Sequence, residues 1–310
     1  MPRVALIGAG LVGRSWAMVF ARSGWQAVLY DPVAGVTEQA LGLIRDGLTD
    51  QARQGLVSHP DAVLTRISAA PSLAGALDGC DYVQESGPET IDAKRAIWTE
   101  LDKLTAEGIV IASSTSAITA SRFSQGLPGR ARCLVGHPVN PPHLIPLVEI
   151  SPAPWTSPEA VARARAVYAE IGQEPIVVKK EIDGFILNRL QGAVLNEALR
   201  LVGEGYVSAA DLDKTVKNGL GLRWSFMGPF ETIELNAPAG IPDYCARFEG
   251  MYRPMAQQPP SEQVWDKTNI DRLVADWGPA PSPEKVRTKS RWRDERLAAL
   301  AAHKKAQPET

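Results

Sequence analysis

The segment Gly8-Ala9-Gly10-Leu11-Val12-Gly13 constrains this chain more than any other. A lone G-x-G-x-x-G is weak evidence, but here its context is complete. Arg3-Val4-Ala5-Leu6-Ile7 before it reads as a short buried strand, and residues 14–23 after it read as a helix closed by Gly24. Gln26-Ala27-Val28-Leu29-Tyr30 then reads as a second strand stopping at Asp31, which completes a βαβ unit. Gly8 permits the tight turn, Gly10 lets backbone N–H groups approach a pyrophosphate, and Gly13 lets the helix pack close to the strand. The helix N-terminus at Leu11 and Val12 faces the phosphates with its partial positive charge. Asp31 stands where an acid accepts hydrogen bonds from the adenosine ribose and repels a 2′-phosphate. No Arg or Lys follows it before Arg45, so NAD is favoured over NADP. FAD uses the same turn, and so does a glycine turn that only packs a helix on a sheet.

The alternation continues beyond this unit. Residues 34–54 and 90–105 read as helices, the second with Ile91, Ile97, Leu101 and Leu104 as its apolar face. Residues 64–68, 81–84, 108–112, 132–135, 147–150 and 175–178 read as strands, with a helix over 158–171 between the last two. Helices alternating with apolar strands predict an α/β fold, a Rossmann-type, doubly wound, mainly parallel sheet. From Asp183, read as a helix N-cap, the pattern becomes helical to the end. The expected organisation is a dinucleotide-binding domain over 1–182 and an all-helical domain over 183–310. Trp224, Trp265, Trp277 and Trp292 are expected to furnish the second domain with a core.

Composition narrows the partners. A formal net charge of −2 favours neither nucleic acid nor a membrane surface, and no apolar run is long enough to span a bilayer. Cys80, Cys133 and Cys245 are odd in number, widely spaced and free of any C-x-x-C. That fits buried free thiols in a reducing cytoplasm and argues against disulfides or a zinc site, and no metal is expected. The N-terminus opens with a strand and a glycine turn, so no signal peptide is expected.

Chemistry is expected beyond the C-terminal ends of the strands. His137 follows the apolar run Leu134-Val135-Gly136 and suits a general base near neutral pH. Glu149 lies amid Leu147, Val148 and Ile150, where a carboxylate needs a partner, and an imidazole is a suitable one. A structural histidine with a surface glutamate on an alternating strand fits the letters equally well. Ser113-Ser114-Thr115-Ser116 ends another strand; its hydroxyls suit a substrate oxygen or the nicotinamide, or simply a turn. Asn188 is a polar group early in an apolar helix, either a substrate ligand or a satisfied core amide.

Together these stretches resemble the 3-hydroxyacyl-CoA dehydrogenase superfamily, most closely its lambda-crystallin / L-gulonate 3-dehydrogenase branch. The likeness covers nearly the whole chain. It rests on GAGLVGRSWA from Gly8, SSTS from Ser113, HPVNPP from His137, PLVE from Pro146, GFILNRLQ from Gly184, GLGLRWSFMGPFET from Gly219 and SRWRDERL from Ser290. The resemblance implies that His137 takes the proton of a C3 hydroxyl while Glu149 orients it and balances its charge. It implies that Ser116 and Asn188 hold the reacting oxygen, that Asn140 helps place the histidine, and that Glu89 and Lys94 lie near the nicotinamide ribose. It further implies a homodimer formed through the helical domain.

Two positions depart from the branch, and both are expected on the substrate side. Gly87 replaces a bulkier apolar residue, and His143 stands in place of an aromatic one. Relatives acting on CoA thioesters carry a lysine-rich helical hairpin after the second strand, whereas residues 34–60 here contain no lysine. Arg223 offers a bidentate clamp for a free carboxylate, or an interface ion pair. A small free 3-hydroxy acid such as L-gulonate is therefore the expected substrate. A short 3-hydroxyacyl-CoA, carnitine held in an aromatic cage with Trp224 and Phe226, and a structural crystallin-like role are the alternatives.

Overall fold

The computed structural model describes residues 1–307. The first unit begins with β1 (Arg3–Ile7), α1 (Leu11–Arg22) and β2 (Gln26–Tyr30), the βαβ unit read from the glycine turn. Next come α2 (Val36–Arg53), α3 (Pro60–Leu64), β3 (Ile67–Ala69), α4 (Leu73–Leu77), β4 (Tyr82–Glu85), α5 (Ile91–Leu104), β5 (Ile111–Ser113) and α6 (Ala120–Ser124). The series closes with β6 (Cys133–Pro138), β7 (Leu147–Pro152), α7 (Pro158–Glu170) and β8 (Glu174–Val177). Eight strands form one sheet in the order β3-β2-β1-β4-β5-β6-β7-β8. All neighbours are parallel except β6 and β7. The strand order reverses between β1 and β4, the place where doubly wound sheets open a crevice for ligands.

Each sheet face has its own core. Leu6, Trp16, Phe20, Leu29, Ile44 and Tyr168 pack on one face, and Ile7, Val83, Trp98, Ile111, Phe123 and Phe185 on the other. Two covered faces explain why the strands read as continuous apolar runs. Two local expectations shift. The third strand begins at Ile67, not residue 64, because Pro60 at the first helical position starts a turn of helix that ends at Leu64. On α5 the buried residues are Lys94, Trp98 and Leu101, while Leu104 is exposed.

Helices follow β8: α8 (Leu187–Gly203), α9 (Ala209–Thr215), α10 (Gly221–Trp224), α11 (Pro229–Glu234), α12 (Gly240–Ala256), α13 (Lys267–Trp277) and α14 (Pro283–Ala306). Among the described residues no strand follows β8. The chain divides into two compact units, Met1–Asn188 together with the segment from Lys289, and Arg189–Thr288. The helical part expected as one domain over 183–310 is thus shared between the two.

Asp183 does not cap α8. Gly184 and Phe185 both have positive φ, 77° and 49°, which breaks any helix started at Asp183 and delays α8 to Leu187. Trp224, Trp265, Trp277 and Trp292 are exposed, so they do not form the expected core. Of the three free cysteines, Cys80 and Cys133 are buried as expected and Cys245 is exposed. No described helix is long and apolar enough to cross a membrane.

Candidate active site

The glycine turn is shaped by what a side chain would strike. A Cβ on Gly8, whose φ is +99°, would lie 2.6 Å from the carbonyl oxygen of Ser86, and one on Gly13 would collide with the carbonyl of Gly8. Nothing lies within 4 Å of a Cβ placed on Gly10, so the turn opens onto free space there. The N-cap of α1, Gly10, has no side chain to occupy the first N–H groups of the helix. Asp31, just past the end of β2, accepts the Ala9 N–H at 3.0 Å on Oδ2 and the Val33 N–H at 3.0 Å on Oδ1. Its carboxylate is tied to the turn, and each oxygen keeps a lone pair for a further donor. A glycine cradle, free helix N–H groups and a fixed carboxylate together fit a dinucleotide.

His137 and Glu149 are cross-strand partners in the antiparallel β6–β7 pair, directly opposite each other on one sheet face. His137 is 3% exposed and Glu149 fully buried, and His137 Nδ1 lies 2.8 Å from Glu149 Oε2. The other carboxylate oxygen accepts the N–H groups of Ile186 and Leu187, both at 2.9 Å. The left-handed Gly184-Phe185 turn aims these N–H groups back at β7, and the Phe185 ring packs 5.2 Å from the imidazole. Burial is the largest influence on Glu149 and raises its carboxyl. The hydrogen bonds from His137, Leu187 and Ile186 outweigh it and hold the group below the ordinary carboxylate range. An ionised carboxylate only accepts, so Nδ1 carries the proton and Nε2 is the nitrogen able to take another. Among the described residues, Nε2 makes no hydrogen bond. The surface-glutamate alternative is thereby removed.

The loop after β5 is pinned at every residue. Ser113 donates to Glu85 at 2.7 Å. Ser114 Oγ accepts from Trp16 Nε1 at 3.0 Å and Gln84 Nε2 at 2.8 Å and meets Ser86 Oγ at 2.9 Å. Thr115 donates its hydroxyl to Glu89 at 2.7 Å, and Ser116 donates its N–H to the same carboxylate at 3.0 Å. Asn188 Nδ2 donates to the Ser116 carbonyl at 2.8 Å. The Ser116 hydroxyl alone has no partner in this network, and it is exposed. Ser116, Glu89 and Asn188 are therefore brought together, and Asn188 is not a buried core amide.

The remaining candidates have the following surroundings. Lys94, expected beside a ribose, is 1% exposed and paired with Glu85 at 2.8 Å. Asn140 is exposed just beyond β6, in the β6–β7 connection. His143, in the same connection, packs beside α1, where Arg22 donates to its carbonyl at 2.8 Å. Arg223 lies on α10 in the 189–288 unit, exposed and without a carboxylate partner among the described residues. Sequence reading misses Glu85, although an acid ending the buried strand Tyr82–Glu85 needs a partner as much as Glu149 does.

Residues 3–182 match the 3-hydroxyacyl-CoA dehydrogenase NAD binding domain, and residues 184–275 match the C-terminal domain of the same enzymes. The chain belongs to the 3-hydroxyacyl-CoA dehydrogenase family. It is an NAD-dependent oxidoreductase by that membership. Lambda-crystallin of Oryctolagus cuniculus is 42% identical over 308 residues, 97% of this chain and 96% of that one. L-carnitine dehydrogenase of Pseudomonas putida is 32% identical over 96% of this chain and 92% of its own. Among solved structures, 5-formyl-3-hydroxy-2-methylpyridine 4-carboxylic acid 5-dehydrogenase, an NAD+-dependent dismutase, superposes with a TM-score of 0.86 at 26% identity. That match covers 99% of this chain and 100% of the other.

Proposed function

We propose that this chain oxidises the C3 hydroxyl of a small free 3-hydroxy acid, with L-gulonate as the leading candidate. The observation that carries the reading is the His137 Nδ1–Glu149 contact of 2.8 Å, which leaves Nε2 as the proton acceptor near the C-terminal end of β6. Bound NAD supplies the hydride acceptor. His137 Nε2 takes the hydroxyl proton, and Glu149 holds the ring in one tautomer and offsets the charge that develops on it. The Ser116 hydroxyl and the remaining amide capacity of Asn188 orient the reacting oxygen. Gly8, Gly10, Leu11, Val12, Gly13 and Asp31 hold the adenosine diphosphate half, and Glu89 and Asn140 support the other. Residues 1–182 are the NAD-binding domain in this reading, and 183–310 serve substrate binding and dimerisation.

The free acid is preferred over a CoA thioester because α2 offers little for a polyanionic tail: it has no lysine, and Arg53 is already paired with Asp50 at 3.0 Å. Arg223 is left to hold a substrate carboxylate. Carnitine is the second reading, favoured by the exposed Trp224 and Phe226 and by the L-carnitine dehydrogenase relative. Leu222, Phe226, Phe230, Leu235, Met255 and Trp277 are all exposed in the 189–288 unit, apolar area of the kind a homodimer covers. A cytoplasmic enzyme fits the free thiols.

A panel assay with NAD and L-gulonate, 3-hydroxybutyrate, L-carnitine and 3-hydroxybutyryl-CoA tests the reading. The largest kcat/KM on L-gulonate supports it. A preference for the thioester or for carnitine replaces the substrate, and tight NAD binding without turnover of any of the four moves the chain to a structural role. His137→Ala should abolish turnover and leave NAD affinity nearly intact.

A further inference from the structure

A series of buried polar side chains runs beneath the crevice and fixes the direction in which one hydroxyl points its proton. Trp16, Gln84, Ser114 and Tyr168 are all buried, where polar atoms need partners. Tyr168 donates its hydroxyl to Gln84 Oε1 at 2.7 Å. Gln84 Nε2 donates to Ser114 Oγ at 2.8 Å, and Trp16 Nε1 donates to the same oxygen at 3.0 Å. The orientation of the Gln84 amide follows from its surroundings. Its nitrogen also faces the Gly136 carbonyl at 3.5 Å, and a carbonyl only accepts. Tyr168 reaches this position because residue 136 is glycine; a Cβ there would collide with its hydroxyl.

An indole N–H only donates, and a hydroxyl oxygen has two lone pairs and one proton. Trp16 and Gln84 fill both lone pairs of Ser114 Oγ. The Ser114 proton therefore goes to the remaining partner, Ser86 Oγ at 2.9 Å. Ser86 accepts in that contact, and its own O–H meets no acceptor among the described residues. Ser86 is half-buried and directly follows β4. Its carbonyl oxygen lies 2.6 Å from a Cβ placed on Gly8, and its own Cβ 3.8 Å from one placed on Gly13. The free proton thus stands beside the glycine turn. Strands β2 and β4 flank β1 on opposite sides. A dinucleotide with its adenosine at Asp31, past β2, carries its nicotinamide half toward Ser86, past β4.

We infer that the Ser86 hydroxyl is a one-way donor to an acceptor oxygen in the nicotinamide half of NAD, its direction imposed by Trp16, Gln84 and Tyr168 through Ser114. The inference rests on the cofactor placement under Proposed function. A donor fixed in advance needs no reordering when the cofactor arrives, which favours binding. Phosphate and ribose oxygens of that half both offer the lone pair it requires.

The test compares NAD with ADP, which lacks the nicotinamide half. Isothermal titration calorimetry gives both affinities for wild type, Ser86→Ala, Gln84→Met and the double variant Ser86→Ala/Gln84→Met. In Ser86→Ala the Kd for NAD should rise about five- to ten-fold, the size of one lost net hydrogen bond, while ADP binds as in wild type. Gln84→Met frees a lone pair on Ser114, so the Ser86 proton turns inward; NAD affinity should fall by a similar or smaller factor, again without change for ADP. The double variant should bind NAD no more weakly than Ser86→Ala, because Gln84 acts only through Ser86. Ser86→Ala removes one half-buried hydroxyl and leaves the core intact, so it decides the matter if Gln84→Met does not fold.

Unchanged NAD affinity in Ser86→Ala overturns the inference. An equal loss for ADP overturns it in favour of a hydroxyl that only shapes the glycine turn. Additive losses in the double variant overturn the assigned role of Gln84. These affinities are read without substrate, so the absence of turnover in the panel assay counts against the proposed reaction and leaves this inference to be decided by binding.

Discussion

Glu149 bonds His137 with one carboxylate oxygen and the backbone of Leu187 with the other, so the residue that faces the imidazole also caps the helix that follows the sheet. Three donors converge on this one buried acid: His137 Nδ1 and the Ile186 and Leu187 N–H groups. The last of these stands at the N-terminus of α8, where the helix dipole favours an anion. Orientation of the histidine and the start of α8 are thereby the same interaction.

Glu149→Gln should lower kcat about 10²–10⁴-fold, the range for losing a correctly oriented base, while NAD affinity stays near wild type. Stability should respond to acid as well. The folded carboxyl lies below its unfolded value, so its contribution is present above the unfolded pKa and is lost as pH falls through the folded one. Tm measured against pH should therefore show wild type losing more than Glu149→Gln on acidification below the ordinary carboxylate range. Parallel curves, or near-normal kcat, would remove Glu149 from the mechanism.

Asp31→Ala should weaken NAD binding about 10–100-fold, the worth of one or two hydrogen bonds to a charged group, and narrow the preference over NADP. Part of the loss is expected through the turn itself, since Asp31 also accepts the Ala9 N–H. Kd values for both dinucleotides check this; an unchanged ratio contradicts the ribose assignment.

The imidazole of His143 is pushed down to about 4 by burial and by the fields of Arg22, Arg14 and Arg293. Its Nδ1 is buried without a partner. An unfolded histidine titrates near 6.5. Between these values the unfolded chain takes a proton that the folded chain refuses, so this stability is present above pH 6.5 and drains away toward pH 4. His143→Phe should flatten that decline in a Tm-versus-pH series between about 7 and 4. An unaltered acid limb would show that His143 is not buried as described.

Much of the first unit can be read from letters because its signals are local. The glycine turn needs Gly8 and Gly13 for contacts within one βαβ unit, and Asp31 sits one strand away. His137 and Glu149 are legible as two unusual residues on apolar strands, but their contact depends on the β6–β7 register, which no spacing rule supplies. The Glu85–Lys94 pair is not legible because Glu85 stands at the end of a strand that reads only to Gln84. The start of α8 is misplaced because Phe185 takes a left-handed backbone that propensity does not anticipate for an aromatic residue. The tryptophans of the later helices read as core because apolar letters look alike whether they face their own chain or another surface.

In the proposed reading, substrate class turns on Arg223. It is exposed and has no carboxylate partner among the described residues, which leaves its five N–H donors available. A bidentate contact to a substrate carboxylate is a charged hydrogen-bond pair worth about 1.5–3 kcal/mol, so Arg223→Ala should raise KM for a free 3-hydroxy acid roughly 10–100-fold. A thioester has no carboxylate at that end, and its KM should not move. Steady-state kinetics on L-gulonate and on 3-hydroxybutyryl-CoA read the difference directly. An equal rise for both would assign Arg223 to contacts between subunits, and a size-exclusion profile that shifts toward monomer in the same variant would bear that out.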